Sequence, residues 1–236
     1  MRPASTGSGY AMNADGAQKL KIEVAKSGAV SALLLRPDRL RACFVFAHGA
    51  GAGMTHPFMQ AFAEGLRARE IASLRYQFPY MEKAGKRPDA PAIAHATVRA
   101  AVTQAGRHCP DVPLVAGGKS FGGRMTSQAQ AAAPLERVRG LAYLGFPLHP
   151  AGKPSTDRAE HLADIHIPML FLQGTRDSLA EAALIAPVVK RLGPSARLHL
   201  VEGADHSFHV LARSGRNDLE VMREILDAFA DWARVI

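Results

Sequence analysis

Short apolar runs alternate along the chain with longer stretches in which apolar residues recur every three or four positions. The first pattern suits buried strands and the second amphipathic helices. Their alternation predicts a mainly parallel sheet with helices on both faces. KIEVA (21–25) and VSALLLRP (30–37) flank Lys26-Ser27-Gly28-Ala29 and predict an opening hairpin. CFVFAHG (43–49) predicts a buried strand ending in glycine, and IASLRY (71–76) the next strand. Between them, residues 55–70 carry Phe58, Phe62 and Leu66 at intervals of four, with Pro57 suited to a first helical turn. Residues 77–91 form a polar connection with three prolines, followed by a helix over 91–108. Then come the strand VPLVAGG (112–118), a helix to about Ala133, and the strands RGLAYLGFPL (139–148) and IPMLFLQG (167–174). A helix over 179–192 precedes the last strand, ARLHLVEG (196–203). The C-terminal helix starts at Asn217, with Glu220 placed for a capping box and an apolar stripe of Met222, Ile225, Leu226, Phe229 and Trp232.

No composition shift marks a linker, and no internal repeat or low-complexity segment interrupts the pattern. The expectation is one domain over 20–236 behind a partly mobile N-terminal tail at 1–19. At 236 residues and 47% hydrophobic content, such a domain can bury a sizeable core.

Charge changes this picture little. The net charge is +8, but the basic residues are scattered, with no block of five or six. Aromatics are 6% of the chain and do not interleave with basic residues. Both facts argue against nucleic acid as a partner. No run approaches the ~18 apolar residues that span a bilayer, which argues against a membrane partner. MRPASTGSGYAMNADG has no apolar core of the kind a secretory signal carries. Cys43 and Cys109 are too few for a disulfide framework and read as reduced, buried thiols, so a cytoplasmic setting is expected.

The candidate chemistry centres on AGGKSFGG, residues 116–123. Gly118-Lys119-Ser120 looks like the end of a phosphate-binding loop. That loop needs a glycine five positions before Gly118, where Pro113 stands, and the residues between continue an apolar strand. Gly118-Lys119-Ser120-Phe121-Gly122 also fits G-x-S-x-G, a strand–turn–helix elbow that exposes a nucleophilic serine. The strand before and the helix after supply that context. Gly118 and Gly122 are small where the turn is tight, and Gly123 eases helix–strand packing.

A serine hydroxyl needs a base, and the order for this motif is Ser, then acid, then His. Asp177 follows the strand ending at Gly174, and His206 follows the strand ending at Gly203. Both then lie outside the carboxyl ends of parallel strands, on the rim that carries Ser120. Asp205 adjoins His206, but adjacent side chains diverge. Asp164 precedes its strand and falls on the opposite rim, and Asp177 has a rival role as a helix cap. HGAGAG (48–53) resembles the HGGG-type loop that donates to an oxyanion. The N–H of Phe121 is one expected donor and that of Ala50 or Gly51 the other. His48 reads as a residue that orients the loop. His206 and His209 lack the further ligands of a metal site, so no metal and no cofactor is expected. Lys119 suits the site entrance, where it would favour anionic acyl groups, and equally a solvated position over the helix start; Met54 is a candidate substrate-binding residue, and Phe58 suits an acyl pocket or the core equally well.

HGAGAG (48–53), GKSFGG (118–123), GTRD (174–177) and GADHSF (203–208) occur in this order, and with them the chain resembles small α/β-hydrolases. The likeness is to the dienelactone-hydrolase-like branch and its predicted-hydrolase relatives, over about residues 20–236. The resemblance implies an eight-stranded, mostly parallel sheet and a Ser-His-acid hydrolase site. The dienelactone hydrolases proper carry cysteine at the nucleophile position, where this chain has Ser120, which argues against dienelactone as substrate. The expected function is hydrolysis of small ester-like substrates by a monomer or homodimer, with thioesterase, peptidase and a non-catalytic interaction module of the same fold as alternatives. Only residues 149–166 and 77–90 have room for a cap, so a minimal one or none is expected.

Overall fold

A computed structural model describes residues 16–236. The tail expected over 1–19 falls largely on residues 1–15, which lie outside the described residues. Gln18 and Lys19 already pair with Leu34 and Leu33 in the first strand.

Eight strands form one sheet: β1 (Gln18–Val24), β2 (Gly28–Leu35), β3 (Ala42–Ala47), β4 (Ile71–Tyr76), β5 (Leu114–Lys119), β6 (Val138–Leu144), β7 (Met169–Gly174) and β8 (Ala196–Val201). Their order is β1-β2-β4-β3-β5-β6-β7-β8. β2 runs antiparallel to both β1 and β4, and every other pairing is parallel. Among the described residues the α-helices are α1 (Pro57–Arg67), α2 (Pro79–Glu82), α3 (Pro91–His108), α4 (Phe121–Ala132), α5 (Ala182–Arg191) and α6 (Asp218–Ala233). No helix among the described residues is long and apolar enough to cross a membrane.

Strand alternation builds the two layers. In β3, Ala42, Phe44 and Phe46 join an apolar cluster with Phe62 of α1 and Phe229 of α6. Cys43, Val45 and Ala47 join the opposite cluster, with Val98 of α3, Met125 of α4 and Ile185 of α5. All six residues of β3 are buried, as a central parallel strand covered on both faces requires. The α6 capping box forms as its sequence predicts: Asn217 Oδ1 accepts from the N–H groups of Leu219 and Glu220, and Glu220 Oε2 accepts from Asn217 N–H.

Some boundaries differ from the sequence reading. The strand expected over 139–148 stops at Leu144, because Gly145 turns the chain at φ 68° and the next N–H, on Phe146, goes to the Gln173 side chain. The helix expected over 179–192 starts only at Ala182. Leu179 N–H is taken by the Asp177 carboxylate, and Ala180 N–H donates to Asp177 O. The connection 77–91 holds the one-turn α2, and the gap 149–166 holds a 3₁₀ helix, Asp157–Asp164.

The connection after β4 is tied down. Phe78 N–H donates to His48 Nε2, Tyr80 O–H to Ala50 O, and Ser31 N–H to the Glu82 carboxylate. His48 Nδ1 meets Gly49 O at 2.7 Å, so the ring is held in one neutral form. Burial pushes the His48 imidazole down to about 4. His161, against Ser127 Oγ at 2.7 Å, is pushed down to about 4 as well, by burial first and then by Arg124.

These two histidines make the fold acid-sensitive. Their ordinary value is near 6.5, so between 6.5 and about 4 the unfolded chain binds protons that the folded chain excludes. Their contribution is complete above 6.5 and is lost as pH falls through about 4. For His48 the loss is at most about 3 kcal/mol. Urea midpoints measured from neutral pH down to about 4 should fall, and His48→Gln should flatten that slope. An unchanged slope in the variant contradicts the assignment to His48.

Candidate active site

β5 runs directly into α4 through Ser120, whose backbone sits at φ 49°, ψ −116°. A residue with a Cβ occupies that region at a cost of about 1–3 kcal/mol and stays there only when its surroundings enforce it. Ser120 N–H donates to Leu144 O at 3.0 Å, and Arg124 N–H begins the helix on Ser120 O. The flanking glycines are required by contact. A Cβ on Gly118 would lie 2.4 Å from Ala47 O, and one on Gly122 2.5 Å from His48 O. A Cβ on Gly123 would lie 2.8 Å from Gly118 O. The elbow is thus pressed against the end of β3.

His206 comes from the loop after β8, closed by a bridge between Ala204 and Val210. Asp205 folds this loop: its Oδ1 accepts from Ser207 and His209 N–H, so its carboxylate is spent there. His209 turns outward to Asp218. Asp177 lies in the loop after β7. A Cβ on Gly174 would strike Ala204 O at 2.3 Å, and Arg176 N–H donates to that same oxygen. This close approach brings Asp177 to His206. Asp164 lies in the 3₁₀ helix that precedes β7.

The three side chains form one continuous line. Ser120 Oγ is 2.9 Å from His206 Nε2, and His206 Nδ1 is 2.7 Å from Asp177 Oδ2. Asp177 is buried, and both its oxygens are engaged: Oδ2 also accepts from Gln173 Nε2, and Oδ1 from Leu179 N–H. A carboxylate with this many donors can accept only, so His206 Nδ1 must carry the proton and Nε2 faces Ser120 as an acceptor. Asp177 therefore caps the turn after β7 and orients the histidine at once.

Two supporting residues escaped the sequence reading. Gln173 is buried at the end of β7, donates to Asp177 and accepts from Phe146 N–H. Its signal was one amide in the otherwise apolar run MLFLQG. Tyr80 has no such signal, because its partner Ala50 is distant in sequence. Burial pushes the Tyr80 phenol up to about 12, so it stays a donor.

A cavity of about 320 Å³ opens over Ser120 and His206, lined also by Gly49, Ala50, Gly51, His56, Phe58, Met59 and Lys119. Among the described residues, no acceptor takes the N–H of Phe121, Ala50 or Gly51. His48 holds Gly49 O and Tyr80 holds Ala50 O, so in these trans peptides the N–H groups of Ala50 and Gly51 point the other way. Met54 is not part of the cavity. It packs with Leu33, Leu35 and Ala63, and its N–H binds Gln77, while Met59 takes the lining position. Phe58 lines the cavity and stacks on Phe208 at 5.7 Å. Lys119 lines it too, and burial pushes its ammonium down to about 8.

The same architecture occurs in solved structures. A serine hydrolase without a lid from Xanthomonas campestris matches with a TM-score of 0.72 at 19% identity, over 94% of this chain and 97% of the other. A dienelactone hydrolase from Anabaena variabilis matches at 0.69 and 19% identity, over 92% and 96%. Est1E from Butyrivibrio proteoclasticus matches at 0.67 and 15% identity, over 92% and 99%. At such identities the likeness is one of fold. The model of the alpha/beta hydrolase domain family matches residues 40–234, from the approach to β3 to the end of α6, and the chain belongs to that family.

Proposed function

We propose that the protein is a serine hydrolase of the carboxylesterase type, acting on small ester-like substrates in the cytoplasm. The observation that carries this reading is the unbroken line from Ser120 Oγ through the His206 ring to Asp177 Oδ2. A strained turn, a buried carboxylate and a single histidine tautomer have no packing purpose in common, but an activated serine needs all three.

In the proposed cycle, Ser120 Oγ attacks the ester carbonyl carbon while His206 Nε2 takes the hydroxyl proton. Asp177 stabilises the imidazolium through Nδ1–H. The carbonyl oxygen becomes an oxyanion held by Phe121 N–H and the N–H of Ala50 or Gly51. Collapse breaks the bond to the alkoxy group, which leaves as an alcohol with the proton from His206. Water then attacks the acyl-serine with His206 as base, releasing the acid and restoring Ser120. No step calls on a metal or an organic cofactor.

Size and access support a small substrate. The cavity of about 320 Å³ suits a short acyl chain against Phe58 and Met59. The connection 77–90 is anchored through Phe78, Tyr80 and Glu82, which leaves little chain to close over the site. The free thiols of Cys43 and Cys109 suit a reducing compartment. The dienelactone hydrolase from Anabaena variabilis among its structural neighbours agrees with this reaction class.

Turnover of p-nitrophenyl esters of increasing chain length tests this directly. Acetate to butyrate should be hydrolysed fastest, and Ser120→Ala should lose at least about 10³-fold in kcat. Asp177→Asn should lose a comparable factor by giving His206 the wrong tautomer. Hydrolysis that survives Ser120→Ala undiminished sinks the proposal.

A further inference from the structure

Lys119 is the last residue of β5 and directly precedes Ser120. Its chain passes Gly49, where a Cβ would lie 3.7 Å from Lys119 Cγ. It ends beside Gly145, where a Cβ would lie 3.0 Å from Nζ and 3.3 Å from His206 Nδ1. The space left by the missing Gly145 side chain is thus shared by the Lys119 ammonium and the His206 ring. There Nζ donates to the main-chain oxygen of His206 itself. Nζ also lies 5.3 Å from the ring centre of Phe208 and 6.0 Å from that of Phe58.

This is an unusual place for a lysine. Among the described residues no carboxylate comes within ion-pair distance of Nζ, and the charges that offset its desolvation, Asp177 and Asp205, act at longer range. A solvated lysine would avoid that cost. The loop is folded on itself by Asp205 and the Ala204–Val210 bridge, and Lys119 ties it to β5. Phe208 stands in the left-handed region at φ 64°, unfavourable for a side chain of its size, and the loop must still present His206 to Ser120. Phe58, stacked on Phe208 at 5.7 Å and 10°, braces the loop from α1.

We propose that Lys119 is a positioning residue for His206: its ammonium fastens the histidine loop to the strand that carries Ser120, so that base and nucleophile keep one relative geometry. This rests on the serine hydrolase reading above. It also separates Lys119 from a role in selecting anionic substrates, since a loosened base slows every ester alike, whereas a lost anion contact weakens binding of anionic ones.

Lys119→Met, which keeps length and loses the donor, and Lys119→Gln, which keeps a neutral N–H, separate these roles. Each is measured for kcat and KM on p-nitrophenyl butyrate and on p-nitrophenyl hemisuccinate, its anionic counterpart, with thermal melts beside them. Lys119→Met should lose about 10- to 100-fold in kcat on both esters with KM little changed, because a displacement of about 1 Å suffices for such a loss. Lys119→Gln should recover part of that kcat. If Lys119→Met does not fold, Lys119→Gln carries the test: kcat lowered on both esters supports the proposal. Wild-type kcat in the folded variants, or a defect confined to KM for the anionic ester, overturns it and leaves the hydrolase reading in place. A wild type that hydrolyses neither ester removes both.

Discussion

The carboxyl edge of the sheet depends on one backbone conformation, that of Ser120 at φ 49°, ψ −116°. Released into water, a serine would leave it. It persists because the chain on either side has nowhere else to go: Gly118 and Gly122 lie against Ala47 and His48 at distances no Cβ could share, and the Ser120 N–H is tied to Leu144 O. The strain is local, and packing between β5, α4 and β3 offsets it. Its result is a hydroxyl that stands clear of the sheet, within 2.9 Å of an imidazole nitrogen.

The residues around Ser120 solve a second problem, which is to bring polar groups from distant loops together so that they pair with one another. Gly174 and Gly145 are small where two loops and a ring must meet. Gln173 satisfies a main-chain N–H on one side and the Asp177 carboxylate on the other. His48 and Tyr80 take the carbonyls of Gly49 and Ala50, which fixes the orientation of that loop's peptides. Each contact is modest alone, but in a buried network removal of one partner strands the other.

Much of this was legible in the sequence because its causes are local. Strand alternation, the Asn217–Glu220 cap and the glycines around Ser120 act over a few residues, and their patterns survive in one dimension. Ser120, Asp177 and His206 each follow their own strand, and a parallel sheet puts such positions on one rim. What escaped depends on contacts between distant segments. The apolar run 139–148 reads as one strand, yet its last residues are a buried turn satisfied by Gln173. Met54 and Met59 cannot be ranked for the cavity without knowing which way the chain leaves β3. Tyr80 and the link from Lys119 to His206 join residues |i−j| = 30 and 87 apart, where no periodicity reaches.

The proposed activation of Ser120 predicts that it reacts with a fluorophosphonate far faster than any other hydroxyl in the protein. Intact mass spectrometry of the folded protein after brief exposure reads this in one step. A single covalent adduct on the wild type and none on Ser120→Ala is the expected result. Folded wild type that stays unlabelled, or a Ser120→Ala variant that labels equally, would contradict an activated nucleophile at Ser120.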